Sequence, residues 1–419
     1  MKRNLLLLLI LAIPVIADAQ FRLDAELRPR AEMRDGYKTL SEPGKVPAWF
    51  ISQRTRLAFG WSGDKTELRI TPQDVRVWGD ETSFTSTGVT GDPASLDLYE
   101  AWLKYSPLKN LSFKIGRQEW DIYDTRLISI RNWNQTGITY DGLLAEWTSK
   151  FGALTAGLSW NNDKENSFGN IYTKDKIKTL DFLYWKMSPV KILVINLLYV
   201  AAGFQKENAE AIYLRHTVGG GLDLNLKNTI VRVTPYYQFG QNKSGVAVSA
   251  WFLSARIEQK FSQLKIMAGV DLLSGQDASK TTGKDHLFDI LYGNRHSVFG
   301  FNDYFSNVPL STGNRGLGDA YLKLEKAFKQ SAVQIWYHFF TTNQTVINDQ
   351  IPINKFLGHE VDLVYKQKLT PALSFEAGYG FMLPTATMEI LNGLSAGGSD
   401  FSHFGYLMII FKPQLFSTK

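Results

Sequence analysis

The 419-residue chain contains no cysteine, which excludes a disulfide framework, a thiolate zinc centre and a lipid-modified N-terminal cysteine. Beyond residue 16 no apolar run approaches the roughly 20 residues a membrane-crossing helix needs. Histidine is scarce, with six scattered residues, and no ligand spacing for a metal emerges. The one glycine triplet, Gly219 to Gly221, sits inside a strand-like segment and not ahead of a helix. It therefore reads as room for a bulky Trp or Tyr neighbour, not as a nucleotide loop, and no cofactor is expected. Net charge is only +6, too mild to suggest nucleic acid.

What is present is alternation. In residues 21–34, Phe21, Leu23, Ala25, Leu27, Pro29, Ala31 and Met33 alternate with Arg22, Asp24, Glu26, Arg28, Arg30, Glu32 and Arg34. A strand's side chains point to opposite faces with period two, so one face is apolar and the other fully charged. A strand between lipid and an aqueous lumen needs that division; an exposed strand of a soluble sandwich rarely does. Ahead of it, Lys2 and Arg3, the apolar Leu5 to Ile16 broken by Pro14, and Ala17-Asp18-Ala19 have the form of a cleavable secretory signal over residues 1–19. The mature chain is expected to start at Gln20, with residues 20–419 forming a single domain.

Similar alternation predicts strands near 21–34, 48–61, 65–78, 95–105, 110–118, 139–148, 152–161, 177–187, 191–202, 211–224, 229–240, 248–259, 263–274, 317–326, 330–341, 356–366, 372–383 and 402–412. The connections alternate between turn-like stretches such as 61–65, 106–110 and 225–228 and longer ones, of which 275–316 is the longest. The expected fold is all-β: a transmembrane antiparallel up-and-down barrel of about 18 strands, with short periplasmic turns and long extracellular loops. Its expected location is the outer membrane of a two-membrane bacterium. Lipid-facing sets include Val231, Val233, Tyr237 and Phe239, and Val333, Ile335, Tyr337 and Phe339.

The opposite parity lines the lumen. It holds Arg28 and Arg30 on the first strand, Arg54 and Arg56 on the second, and Arg69, Asp74 and Arg76 on the third, where a bulge near Pro72 accounts for a slip in parity. Glu100, Arg117 and Gln118 complete the candidate pore lining; Arg117 shares the parity of Phe113 and Ile115, so a bulge turns it inward or it snorkels to the head groups. Guanidinium groups at a constriction attract carboxylate and phosphate. The competing reading has the same arginines paired with Asp24, Glu26, Glu32, Glu67 and Asp74, holding the wall together.

The blocks SQRTRLAFGW (52–61), QDVRVWGD (73–80), LDLYEAWLKY (96–105), SFKIGRQEWDIYDTRLIS (112–129), YDGLLAEW (140–147) and GFNDYF (300–305) resemble the alginate-export family of outer-membrane proteins. The resemblance implies an 18-stranded barrel with an arginine-rich pore that passes an anionic polysaccharide, and it implies pore-lining roles for Arg54, Arg56, Asp74, Arg76, Glu100, Arg117 and Gln118. The chain departs from that family in lacking any periplasmic turn longer than KQKLTPA at 366–372.

The leading expectation is a porin-like channel for anionic solutes or anionic oligo- or polysaccharides. An adhesive or structural barrel is the alternative. A hydrolase built on His216, His338 or His359 fits less well, since two of these fall on the apolar parity, and an energy-coupled receptor lacks residues for a plug before the first strand. Expected partners are the solute, membrane lipid or lipopolysaccharide, and the barrel-assembly machinery, with a monomer favoured and no nucleic acid.

Overall fold

A computed structural model describes residues 19–79, 95–169, 172–173, 175–207, 209–280 and 283–418. The signal-peptide reading therefore lies outside the described residues but for Ala19.

The wall strands run in chain order: β1 Gln20–Asp35, β2 Ala48–Ser62, β3 Thr66–Val77, β4 Ser95–Leu108, β5 Leu111–Gln118, β6 Tyr140–Ser149, β7 Gly152–Ser159, β8 Ile177–Val190, β9 Leu193–Gln205, β10 Ile212–Leu226, β11 Thr229–Gln241, β12 Ala247–Phe261, β13 Leu264–Leu273, β14 Leu317–Ala327 and β15 Ser331–Thr341. A small hairpin follows, β16 Val346–Asn348 with β17 Ile351–Ile353, and then β18 Phe356–Lys368, β19 Leu373–Pro384 and β20 Ser402–Phe411. Each wall strand pairs antiparallel with its sequence neighbour, and β20 returns to β1 through Arg34↔Phe404 and Leu27↔Phe411. The result is a closed 18-stranded barrel without a free edge. β21 Gln414–Ser417 extends the last strand past Pro413, whose carbonyl still accepts from the Ala25 N–H at 3.0 Å. All 18 strands read from the sequence are present; the hairpin, β21 and the short helices α1 Val308–Ser311 and α2 Ala386–Leu391 were not foreseen.

At one end the connections are tight. Lys227 and Ser262 take φ of 33° and 50° in two-residue turns, which matches the twist of the strands they join. The other end carries the long connections. Between the two ends the outer face is apolar: Leu57, Leu183, Leu363, Leu407 and Ile409 are all at least 40% exposed. So much accessible hydrocarbon on a closed wall is stable against lipid, not against water.

The interior departs from a hollow cylinder. In the half of the barrel nearer the long connections, lumenal Phe182, Leu198, Val200, Phe252, Phe340 and Met382 pack on Trp120, Leu127, Ile128, Phe288, Phe299, Tyr304 and Phe305 from the loops 119–139 and 274–316. These loops fold inward, and the hydrophobic core of the protein lies inside its barrel.

Candidate functional site

The site begins with the parity of β1 and β2. Direct pairing sets Arg28 opposite Arg54 and Glu26 opposite Arg56, all on the lumenal face. Four guanidinium groups so close together need acceptors, and loop 119–139 supplies them. Arg28 donates to the carbonyls of Asn132 (2.7 Å) and Asn134 (3.0 Å) and to Gln135 Oε1 (3.0 Å). Arg30 donates to the Trp133 carbonyl at 2.8 Å and lies 3.8 Å over the Trp133 ring. Arg54 bridges Glu26 (2.5 Å) and Asn132 Oδ1 (2.9 Å), and Arg56 binds Gln73 (2.7 Å) and the Thr136 carbonyl (3.2 Å) while stacking 3.2 Å over Tyr99. Arg28, Arg30, Arg54 and Arg56 are all at most 7% exposed. Their charge is spent on carbonyl dipoles and carboxylates of the protein itself.

The same loop reaches the opposite wall. The Tyr123 hydroxyl lies 3.2 Å from both Asp223 Oδ1 on β10 and Thr234 Oγ1 on β11. Gly221 makes this approach possible, because a Cβ there would sit 1.8 Å from the Tyr123 hydroxyl. The glycine triplet thus gives room to a tyrosine, as its place within a strand suggested. Arg126 pairs with Asp271 on β13, between the rings of Phe252 and Phe299. A segment tied both to β1–β2 and to β10–β13 crosses the lumen.

Loop 274–316 closes the gap. Asn302 N–H donates to Glu360 on β18 (2.9 Å), and a side chain at Gly300 would collide with the same carboxylate. Arg131 donates to the Leu291 (2.9 Å) and Gly293 (3.0 Å) carbonyls, so the two loops lock together. Trp133 stacks on His296 at 3.7 Å, His296 Nδ1 sits 2.9 Å from Asp303 Oδ1, and the Tyr37 hydroxyl donates to the other Asp303 oxygen. Three connections therefore meet at Asp303. Burial pushes this carboxyl up, but His296, Tyr37 and Lys38 pull it below the ordinary 3.8. A depressed carboxyl contributes stability above the unfolded value and loses it as pH falls through the folded one. Loop closure is thus expected to hold above about pH 4 and weaken below it. Conductance recorded from pH 6 to pH 3 checks this: open-state fluctuations should grow only at the acid end, and Asp303→Asn should abolish the change.

Of the candidate pore residues, Arg28, Arg30, Arg54, Arg56, Arg69, Glu100 and Gln118 face inward. Arg69 pairs with Glu100 (2.8 Å), and Gln118 donates to the carbonyls of Lys114 (3.1 Å) and Gly142 (3.0 Å). Asp74, Arg76 and Arg117 do not face inward. The extra residue sits on β4 at Tyr99, not on β3, so β3 stays in phase with β2 and Thr55↔Asp74 and Gln53↔Arg76 share the outer face. Asp74 and Arg76 pair with each other there at 2.8 Å. Arg117 keeps the outward parity of Ile115 and forms a two-pronged pair with Asp141 at 2.8 and 2.9 Å. The loop residues Asn132 to Thr136, Arg126 and Arg131 escaped the reading, since loops have no periodicity. Besides the glycine triplet, a second signal was available: β8 and β9 carry apolar residues on their lumenal face as well, namely Leu180, Phe182, Leu198, Val200 and Phe204, and these require a packed partner inside.

Below the crossing loops two chambers of about 780 and 560 Å³ share Asp121, Ile130 and Asn132. The first holds Arg22, Arg69, Lys114 and Lys412 beside Asp24, Glu100 and Glu119; the second holds Lys323, Lys366 and Glu376 beside Trp336. Above the loops a third chamber of about 390 Å³ contains Arg215, Lys243 and Arg295 with Asp285 and Asp289. Lumenal Arg256 has no hydrogen-bond or ion-pair partner among the described residues.

In fold the barrel matches solved outer-membrane porins. Pseudomonas aeruginosa OccK1 (OpdK) superposes with a TM-score of 0.62 at 11% identity, covering 96% of this chain and 99% of that one. Acinetobacter baumannii OccAB4 gives 0.62 at 10% identity (95% and 98%), and P. aeruginosa OccD3 (OpdP) gives 0.58 at 12% (94% and 92%). No curated protein matches the chain in sequence. Residues 19–162, which carry β1 to β7 and the arginine-held loop, match the alginate export family, as the blocks in this region suggested.

Proposed function

We propose that this outer-membrane porin-like barrel is a channel for small anionic solutes, carboxylates above all. The observation that carries the reading is the pair of interlocked loops across the lumen. With the cross-section bridged from β1–β2 to β10–β13, the space favours small molecules over a sliding polysaccharide chain. Cations at the chamber walls, Lys114, Lys323, Lys366 and Lys412, lower the barrier for an anion, and low-dielectric walls strengthen their field. The last three also pair with Glu325, Glu376 and Glu26 at 2.9 to 3.5 Å, so an anion competes with these wall carboxylates and not with the acceptors by which the loop is held. One of the similar structures, P. aeruginosa OpdK, was determined with vanillate, which is an aromatic carboxylate. Polymer export, the other expectation drawn from the family resemblance, gains no comparable support from this interior.

Planar-bilayer recordings under a salt gradient test the reading. Reversal potentials should report anion preference, and Lys323→Glu with Lys366→Glu should move them toward cation preference by about tens of millivolts. Unchanged potentials, or a wild-type preference for cations, would refute it. Swelling of proteoliposomes in benzoate-sized carboxylates, and not in charged oligosaccharides, is the companion expectation.

A further inference from the structure

A motif on the outer wall is left unused by the channel. On β15 and β19, Tyr-x-Phe (Tyr337 and Phe339, Tyr379 and Phe381) faces a histidine on the next strand, with Phe339 opposite His359 and Phe381 opposite His403. On β9 to β11 the same three side chains recur as Tyr199, His216 and Phe239, with His216 opposite Phe239. In every case the tyrosine hydroxyl meets the imidazole Nδ1: 2.8 Å for Tyr199–His216, 2.7 Å for Tyr337–His359 and 3.2 Å for Tyr379–His403. All three lie within five residues of the long-loop end of the histidine's strand.

The pairing leaves a donor whichever way its proton runs. When the tyrosine donates to Nδ1, the ring proton sits on Nε2; when Nδ1–H donates, the tyrosine O–H is left over. A donor at the edge of hydrocarbon needs an acceptor. At His403 a carboxylate stands ready, since Asp35 Oδ2 lies 3.6 Å from Nε2. His216 and His359 have no second polar partner among the described residues. Around them the outer wall presents Leu214, Val218 and Phe339, each more than a third exposed. A donor set into so apolar a surround suits the head group of a lipid, not a protein surface.

We infer that Tyr199–His216 and Tyr337–His359 are two head-group sites for a phosphorylated lipid of the leaflet on the long-loop side. Phosphate oxygens accept from the free imidazole or phenol donor; the phenylalanines flank the histidines at the same level, and the tyrosine rings, two residues deeper, pack on the first carbons below. The inference rests on the membrane location and is independent of what the channel conducts.

Native mass spectrometry of the detergent-solubilised full barrel tests it, titrating diphosphoryl lipid A against its dephosphorylated analogue. Two bound copies are expected for the phosphorylated form, with about ten- to a hundredfold weaker binding for the analogue, since a charge-assisted hydrogen bond is worth about 1.5–3 kcal/mol. His216→Gln with His359→Gln should remove the difference, and Tyr199→Phe with Tyr337→Phe should halve it or more. Equal retention of the two lipids by the wild-type barrel overturns the inference whether or not the variants fold. A barrel that conducts normally but shows equal retention refutes this inference alone.

Discussion

Single-channel conductance should rise severalfold when Arg28→Ala and Arg54→Ala are combined, because these side chains hold a loop inside the lumen. Arg28 alone makes three bonds of 3.0 Å or less to Asn132, Asn134 and Gln135. Net contributions of hydrogen bonds to charged groups are about 1.5–3 kcal/mol each. Neighbouring bonds do not add fully, so about 3–5 kcal/mol is a fair total for the two arginines. That shifts the population of the released loop by about two to four orders of magnitude. Had the same arginines lined an open pore, their loss would lower anion conductance with little change in width. The sign of the conductance change therefore separates the two roles, and heat-modifiable migration on gels verifies that the variant barrel is folded.

Arg126→Ala should have an effect of similar size at the opposite wall. Its partner Asp271 is fully buried, and Asp319 with His338 lies close by, His338 Nδ1 being 3.0 Å from both Asp319 oxygens. Burial disfavours the Arg126 charge, and Asp271 more than restores it. Removing one partner of a buried pair strands the other, at a cost of about 3–5 kcal/mol. Opening events absent from the wild type are expected in recordings of Arg126→Ala. Replacing both partners, Arg126→Met with Asp271→Leu, should restore a quiet channel, since an apolar pair of similar volume removes the stranded charge. A double variant as noisy as the single one would show that the pair does not tether the loop.

The wall of the barrel was legible because its physics is local. Period-two alternation between lipid and lumen located every one of the 18 strands, and the turn residues located the short connections. Errors arose where the signal was not local. A slip in parity near Pro72 was visible in the sequence, but which of two paired strands carries the extra residue depends on their register, and Tyr99 on β4 proved to be that residue. Asp74 and Arg76 consequently changed face. The arginines of β1 and β2 were correctly placed inward, yet their task depended on acceptors about a hundred residues away in an aperiodic loop. Lumenal apolar residues on β8 and β9, and the room that Gly221 leaves for Tyr123, were the sequence traces of that loop's position.

The most direct measurement is amide hydrogen exchange over residues 130–138 of the barrel in a lipid bilayer. Held by Arg28, Arg30, Arg54 and Arg56, with Ile138 N–H bonded to the Ile130 carbonyl at 2.8 Å, this segment should exchange orders of magnitude more slowly than a free loop. The Arg28→Ala, Arg54→Ala variant should lose that protection. Exchange of the wild-type segment at the rate of an unstructured peptide would contradict the arginine-held loop and return those side chains to an open pore.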